Sequence, residues 1–268
     1  MTTMRAAGRP RFEPGTFTPA PGRGRIGTML FTHARTEIGL TLRHGEQILL
    51  TLLIPLALLV GLSVLDVVPV PDGVTQRVDW VAPRILALAV MSSAFTGQAI
   101  ALGFDRRYGV LKRLAATALP RWLLVLGKLV AALVVVAVQV VVLGGTAVAL
   151  GWSPSASGIA AALVLLVVGT VAFGALGVLL GGALRAEAVL ALANIVWFVL
   201  LLAGGIVIGP GTLPGFLAAV VPYLPSGALA EGLHAALADG ALSWTAVAVL
   251  AAWALAATGL ATRTTKLT

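Results

Sequence analysis

The 268-residue sequence contains no cysteine and few charged residues. Without thiols the chain forms no disulfide, has no thiolate nucleophile and cannot build a cysteine-ligated zinc site. Charged residues make up only 10% of the chain, whereas a soluble domain carries about 25%. So little charge cannot cover a protein surface with polar groups, and lipid must therefore surround most of the chain.

The residue patterns of several catalytic and metal sites are also missing. The three histidines, His33, His44 and His234, are scattered and show no HExxH spacing. A phosphate-binding P-loop needs a glycine, four residues, then Gly-Lys-Ser/Thr. Around Gly127-Lys128 the first glycine is replaced by Trp122 and the hydroxyl residue by Leu129. We therefore expect no catalytic residues, no metal site and no cofactor bound by this chain.

Long apolar runs dominate what is present, with 59% hydrophobic residues and a mean hydropathy of +1.03. A membrane-spanning helix needs about 20 mostly apolar residues. The sequence predicts an all-α integral membrane protein with six such helices, at 47–68, 82–104, 122–149, 156–182, 188–209 and 242–261. The proline-rich stretch 210–238 lies between the last two. We expect it to form two short re-entrant helices on the extracellular side; one further kinked span is the alternative.

The N-terminal region has two parts. Residues 1–25 contain four prolines and several arginines without an apolar run, which is typical of a disordered basic tail. In residues 26–46 an apolar side chain recurs at every fourth position, from Ile26 to Leu42, with charged residues on other faces. This pattern predicts an amphipathic helix in the membrane interface, with an irregular linker as the alternative. At the other terminus, residues 263–268 form a short polar end.

Basic residues are distributed unevenly between the predicted loops. Only Arg77 and Arg84 fall on one side of the six-span topology, and the remaining Lys and Arg fall on the other. Cytoplasmic loops carry the excess of basic residues. Both termini are therefore expected in the cytoplasm. This rule also explains the net charge of +8, so nucleic acid is not expected as a partner.

The charged segment 105–121 is the most informative loop. Tyr108, Leu111 and Leu114 fall at helical spacing, and basic residues flank them. One interpretation is a loop whose cations only fix topology.

A second interpretation comes from resemblance. The segment resembles the cytoplasmic loop of ABC-2 type transporter permeases. The residues of this sequence that match the family pattern are Asp105-Arg106, Gly109-Val110-Leu111, Arg113-Leu114, Ala116-Thr117, Arg121 and Gly127-Lys128. Later matches are the glycines at 174, 177 and 181, then Leu184-Arg185-Ala186-Glu187, Ala193-Asn194, Leu213-Pro214-Gly215 and Pro222 with Pro225. The sequence departs from the family pattern in the short helix after these prolines. The family commonly has an arginine there, and this sequence has Glu231 to His234. The resemblance covers residues 26–262.

The resemblance implies a function, partners and contact residues. Segment 105–121 would be the coupling helix that docks into a nucleotide-binding ATPase subunit, through Arg106, Arg107, Tyr108, Gly109, Leu111, Lys112, Arg113 and Leu114. Two separate ATPase subunits would bind ATP and Mg²⁺, and a second permease chain, identical or paralogous, would complete an exporter in the cytoplasmic membrane. The sparse polar groups suggest a hydrophobic or amphipathic substrate, such as a lipid, glycolipid or drug-like molecule.

Polar residues inside the predicted spans are further candidates, because such residues are costly in lipid and often functional. We expect them along the translocation path or the dimer interface; they are Ser92, Ser93, Thr96, Gln98, Asn194 and Trp197. The alternative is ordinary hydrogen bonding between helices.

Two other functions remain open at this point. An ion-gradient-driven transporter would need buried carboxylates or unwound spans near mid-membrane, and no Asp or Glu lies centrally in a predicted span. A membrane-embedded lipid-modifying enzyme would need clustered acids for a metal ion, and the sequence has no such cluster.

Overall fold

The computed structural model describes residues 24–43, 45–71, 74, 76–117, 119–206 and 215–264. Within these ranges all regular secondary structure is helical, which confirms the predicted all-α class. Residues 1–23 and 265–268 lie outside the described ranges, so most of the predicted tail 1–25 and of the C-terminus 263–268 stays a prediction.

The N-terminal region forms helix α1, Ile26–Arg43, followed by α2, Gly45–Val64. A helix was predicted over 26–46, and the structure ends it at Arg43. The predicted apolar stripe is only partly covered, since Ala34 is buried whereas Ile26 is 49% exposed. His33, which precedes Ala34 in α1, is also buried. The placement of α1 at the membrane interface stays a prediction.

The next span is a single long segment, Arg77–Arg107. It consists of α3, Arg77–Val90, a π-helical turn, Met91–Gly97, and α4, Gln98–Arg107. After the short α5, Val110–Ala115, come the long helices α6, Arg121–Ala149, and α7, Ile159–Ala183. A turn at Leu184 and Arg185 leads into α8, Ala186–Ala203.

The proline-rich region holds a short helix α9, Gly215–Val220, a 3-10 turn, Val221–Tyr223, and α10, Pro225–Asp239. The final helix is α11, Trp244–Thr264. Helix α10 packs inside the bundle, where Leu229 and Leu233 are fully buried. Residues 207–214 lie outside the described residues, and the re-entrant path predicted for 210–238 stays a prediction.

Five helical segments in the described part of the chain are long and apolar enough to cross a membrane. They are Arg77–Arg107, Trp122–Ala149, Ala156–Ala183, Ala186–Ala203 and Trp244–Arg263. These correspond to five of the six predicted spans. The first predicted span, 47–68, coincides with α2, whose described apolar part, Thr51–Val64, is shorter than the others.

Helix α7 occupies the centre of the bundle and packs against α4, α6, α10 and α11. Its Leu165 and Phe173 are fully buried. A Cβ atom on Gly177 would lie 2.8 Å from the carbonyl oxygen of Phe95, and one on Gly181 would lie 2.5 Å from that of Ala99. The two glycines therefore form a close helix-packing site.

The bundle has two chemically distinct ends. We call one of them the basic end. It is formed by the end of α4, all of α5, the start of α6 and the last turns of α7 and α11, since Leu111 packs with Val178 and Ala261. The opposite end holds the loops after α2, α6 and α8. There Arg77 pairs with Asp66, and the Ser155 amide donates to the Leu237 carbonyl at 2.8 Å.

Candidate functional site

The 105–121 segment is a helix, a tight turn and a second short helix. Helix α4 ends at Arg107, and Gly109 adopts a left-handed conformation with φ of 67°. This conformation favours glycine because it has no Cβ, and it lets α5 leave α4 at an angle. The resemblance implied one coupling helix in the segment 105–121, but α5 spans only Val110–Ala115. The Thr117 hydroxyl then donates to the Leu114 carbonyl at 2.6 Å, ending the helix.

Two arginines fasten this segment to the turn between α7 and α8. The Arg106 guanidinium donates to the carbonyl oxygens of Gly181 at 3.1 Å, Gly182 at 2.5 Å and Leu184 at 3.1 Å. The final carbonyls of a helix have no intrahelical partner, so Arg106 caps α7. Arg107 pairs with Glu187 in the first turn of α8. Both side chains, predicted to contact a partner, are engaged within the chain.

The structure corrects the expected role of Leu111. We predicted that Tyr108, Leu111 and Leu114 would fill a groove of a partner subunit. Leu111 is instead only 6% exposed and packs into the chain's own cluster with Leu102, Val178 and Ala261. Tyr108 is 66% exposed and stacks on Phe104 with ring centroids 6.0 Å apart. The spacing of the apolar residues in the sequence could not show which side of so short a helix faces the bundle.

Two further cations of the segment, Lys112 and Arg113, face outward. Lys112 and Arg113 are exposed, and Arg113 donates to the Tyr108 carbonyl at 3.3 Å. A groove of about 460 Å³ runs between this segment and the α7–α8 turn. Its charged lining consists of Arg106, Arg107, Lys112, Arg185 and Glu187. The groove is therefore cationic and suited to acidic groups.

A buried ion cluster lies just inside the basic end. The Lys128 ammonium is 2.7 Å from an Asp105 carboxylate oxygen and 3.1 Å from one of Glu37. The His33 ring lies beside Glu37 at 3.8 Å and hydrogen bonds to the Leu124 carbonyl at 3.3 Å. These contacts join α1, α4 and α6. Each charge removed from water in this cluster has an opposite charge in contact, as buried ions require.

The contacts in this cluster explain why the sequence motif has glycine followed by lysine at Gly127-Lys128. A Cβ on residue 127 would overlap the ring of His33. The glycine therefore allows α1 to lie directly against α6. Lys128, in the next position, then reaches both carboxylates.

The candidate polar residues of the spans divide into two groups. The Trp197 indole donates to the Ser92 hydroxyl at 2.9 Å, so α8 is bonded to the π-helical turn. Ser93 and Gln98 line a cavity of about 320 Å³ together with Glu37, Asp105 and Lys128.

Two further candidates have no long-range bond. The Thr96 hydroxyl is buried without a hydrogen-bond partner. Asn194 is exposed, and its amide donates to the Leu190 carbonyl of its own helix at 2.8 Å. The structure thus brings Ser92 and Trp197 together, and Ser93 and Gln98 together, but leaves Asn194 on an open face.

A second buried ion pair lies toward the opposite end. Arg84 on α3 is 2% exposed and pairs with Glu231 on α10. It also donates to the Trp80 carbonyl at 3.1 Å, and its guanidinium carbon lies 4.0 Å from the centre of the Trp80 ring. The point at which the sequence departs from the family pattern, Glu231, is therefore matched by an arginine on another helix.

His234 lies one turn after Glu231 and is half-buried. Burial lowers the pKa of His234 from its ordinary value, and the positive charge of Arg84 lowers it further. The carboxylates of Glu231, Asp239 and Asp79 act in the opposite sense. Its Nδ1 atom is buried and has no hydrogen-bond partner.

Sequence reasoning missed the partners of these buried cations. Lys128 was assigned only to topology, and Glu37 and His33 were assigned no role. A signal existed, because a lysine or arginine inside an apolar span is costly unless an acid pairs with it. That rule indicates that a partner exists, but it cannot select Glu37, which lies 91 positions away in the chain.

The helices identify the class first: the chain is a multi-pass, all-α membrane protein. The sequence model of the family described as ABC-2 type transporter matches residues 30–238. The match covers most of the chain, and the chain belongs to this family. Among curated proteins, no sequence matches significantly. Membership makes the chain a membrane-spanning permease of the ABC transporter type.

Proposed function

We propose that this permease is a subunit of an ABC exporter and moves a hydrophobic or amphipathic substrate across the cytoplasmic membrane. A separate ATPase subunit supplies the energy and docks on the 105–121 segment. The observation that supports this proposal is the combination of an exposed, cationic surface and firm attachment. Arg106 caps α7 and Arg107 pairs with α8, so movement of the segment is passed to both membrane helices.

Within this proposal, each residue of the segment has a distinct role. Tyr108 is the anchor, because aromatic side chains in the centre of an interface often dominate binding. Lys112 and Arg113 meet acidic residues of the ATPase and govern orientation and association rate. Leu111 holds α5 against the bundle, and Gly109 sets its angle.

The proposed assembly contains two ATPase subunits and a second permease chain, identical or paralogous. The basic end faces the cytoplasm, together with both termini, because cations are enriched there. ATP and Mg²⁺ bind to the ATPase, and this chain binds no cofactor. The wide apolar surfaces and few polar groups support a lipid, glycolipid or drug-like substrate.

One observation favours a second candidate function. The cluster of Lys128, Asp105 and Glu37 places ionisable groups beside a cavity within the membrane helices, as ion-coupled transporters do. Family membership favours the ATP-driven function. Transport measured with an ionophore distinguishes the two candidate functions. An ionophore that collapses the membrane potential and the proton gradient stops only the ion-coupled transporter.

The test is purification of the tagged chain from its native membrane, followed by detection of a bound ATPase. Tyr108→Ala should weaken ATPase binding at least about 30-fold, the effect of losing one interface hot spot. Tyr223→Ala is a matched control, because both tyrosines are 66% exposed and Tyr223 lies away from the 105–121 segment, where its carbonyl accepts a hydrogen bond from Trp253 of α11. No ATPase with the wild-type chain, or equal binding by both variants, would contradict the proposal.

A further inference from the structure

A cleft opens between α6 and α11 at the basic end, and we call it the α6–α11 cleft. It has a volume of about 390 Å³, within the range of about 300–1,000 Å³ found for ligand pockets. Helix α7 forms its back through Val171, Ala175 and Val178, and Leu111 of α5 closes it at the basic end. Ten of its thirteen lining residues are apolar, and the polar ones are Lys128, which is already paired with Asp105 and Glu37, Thr258 and Thr262.

The position of the cleft determines the solvent that it meets. Its α6 wall runs from Trp122 to Leu129, a rise of roughly 10 Å. All of this wall belongs to the membrane-spanning segment Trp122–Ala149, and half of a hydrocarbon core is about 15 Å thick. Because this 28-residue span is about 42 Å long and exceeds a hydrocarbon core of about 30 Å, the cleft runs from the headgroup region at Trp122 into one leaflet, where its mouth meets lipid.

An apolar cleft at this depth does not favour water, since buried water needs polar partners. An empty cleft would leave its lining atoms without contacts on one side. Hydrocarbon from the leaflet satisfies both conditions. Trp122, 52% exposed at the mouth, is an amphipathic ring of the kind enriched at the level of lipid headgroups.

Charge at the mouth selects the headgroup. Arg263 follows Thr262 of the lining directly in α11, and it is exposed. In the described residues, acids near this end are already paired, Asp105 and Glu37 with Lys128 and Glu187 with Arg107. The positive charge of Arg263 complements a lipid headgroup whose phosphate gives it a net negative charge.

We propose that the α6–α11 cleft binds one acyl chain of an anionic phospholipid of the surrounding leaflet, with its headgroup at Arg263. Because Leu111 forms part of the cleft wall, the bound chain supports the 105–121 segment from below. The lipid is thus a structural ligand of the segment. This inference uses the membrane location of the chain and does not depend on the substrate of the transporter.

The test uses the purified chain in nanodiscs that contain phosphatidylglycerol with a photoreactive group in one acyl chain. Label should appear on peptides of α6 and α11, and Thr258→Phe should reduce it about tenfold, the effect of losing contact with some two methylenes. Thr258 is an exposed residue of the lining, so the variant should fold. Thr245→Phe is the matched control, on an exposed turn of the same helix away from the cleft.

Two further measurements separate the occupants. Arg263→Gln should reduce the preference for phosphatidylglycerol over phosphatidylcholine, and hydrogen exchange in residues 108–117 should rise when lipid is removed. Equal labelling in the Thr258→Phe and Thr245→Phe variants would overturn the proposal. So would label that an exported amphiphile displaces but excess phosphatidylglycerol does not, since the cleft would then hold cargo. Neither result depends on whether an ATPase co-purifies.

Discussion

Lys128 shows how a single residue can be both unfavourable in its location and essential to the fold. An ammonium group within a membrane helix is costly in isolation, but here two carboxylates lie within 3.1 Å of it. Since Asp105 and Glu37 come from α4 and α1, one lysine joins three helices. Removal of the lysine would leave two acids without a cation.

We expect Lys128→Met to lower the stability of the purified chain by about 3 kcal/mol, the low end for breaking a buried pair, because both carboxylates keep some exposure. Lys112→Met, at an exposed position, should change stability by less than about 0.5 kcal/mol. Thermal unfolding in detergent measures both. Adding Asp105→Asn to Lys128→Met should recover part of the loss; the absence of any difference between the two lysine variants would contradict the assigned role.

Residue-level roles were only partly predictable from the sequence. The special position of Gly109 and the charged character of the segment were visible in the motif. The inward direction of Leu111 and the outward direction of Tyr108 were not, because both belong to the same apolar period. The pair of Arg84 and Glu231 lies 147 positions apart in the chain, and only the packing of α10 against α3 brings the two together.

At the scale of elements, the contact between α7 and the π-helical turn depends on small residues. Gly177 and Gly181 allow the backbone of α7 to approach the carbonyl groups of Phe95 and Ala99. Close backbone approach through small residues is a common source of association between membrane helices. A π-helical turn widens the backbone locally and is frequent at functional sites.

Gly181→Ala should destabilise the chain by about 1–3 kcal/mol, the usual cost of overpacking. The new Cβ would lie 2.5 Å from the Ala99 carbonyl oxygen and 3.0 Å from the Leu102 side chain, and a helix backbone cannot easily move away. Gly144→Ala on α6 is the control, because nothing lies within 4 Å of its Cβ position. Unfolding midpoints should fall for the first variant and remain or rise for the second; a fall of equal size in both would contradict this account.

The elements themselves were largely predictable, since hydropathy identifies runs long enough to cross a membrane. The structure extends the second span to Arg77–Arg107. Its internal π-helical turn has no signature in hydropathy. The break between α9 and α10 follows from Pro222 and Pro225, whereas the burial of α10 within the bundle depends on contacts that a linear pattern does not contain.

At the scale of the whole molecule, α8 presents an open face. Its outward side chains include Ile195, Phe198, Val199 and Leu202, with Asn194 among them. An exposed amide in hydrocarbon is unfavourable, so we expect this face to meet a second permease chain. Trp197 is bonded to Ser92 within the chain, and its contact with a second permease chain stays a prediction.

Asn194→Cys should therefore form a crosslink between permease chains under mild oxidation, visible as a dimer band on gel electrophoresis. The chain has no native cysteine, so the background is zero. Val141→Cys, at an exposed position on α6, should crosslink much less. Similar yields at both positions would mean that collisions in the membrane, and not a defined interface, produce the band.

The cap that Arg106 places on α7 has a mechanical consequence. Its three hydrogen bonds, together with the Arg107–Glu187 pair on α8, tie the end of α4 to the α7–α8 turn at four points. Under the proposed function, a displacement of Tyr108 by the ATPase would therefore tilt α7 and α8 together. In that proposal, these four contacts set how much of the ATPase's motion reaches the two membrane helices.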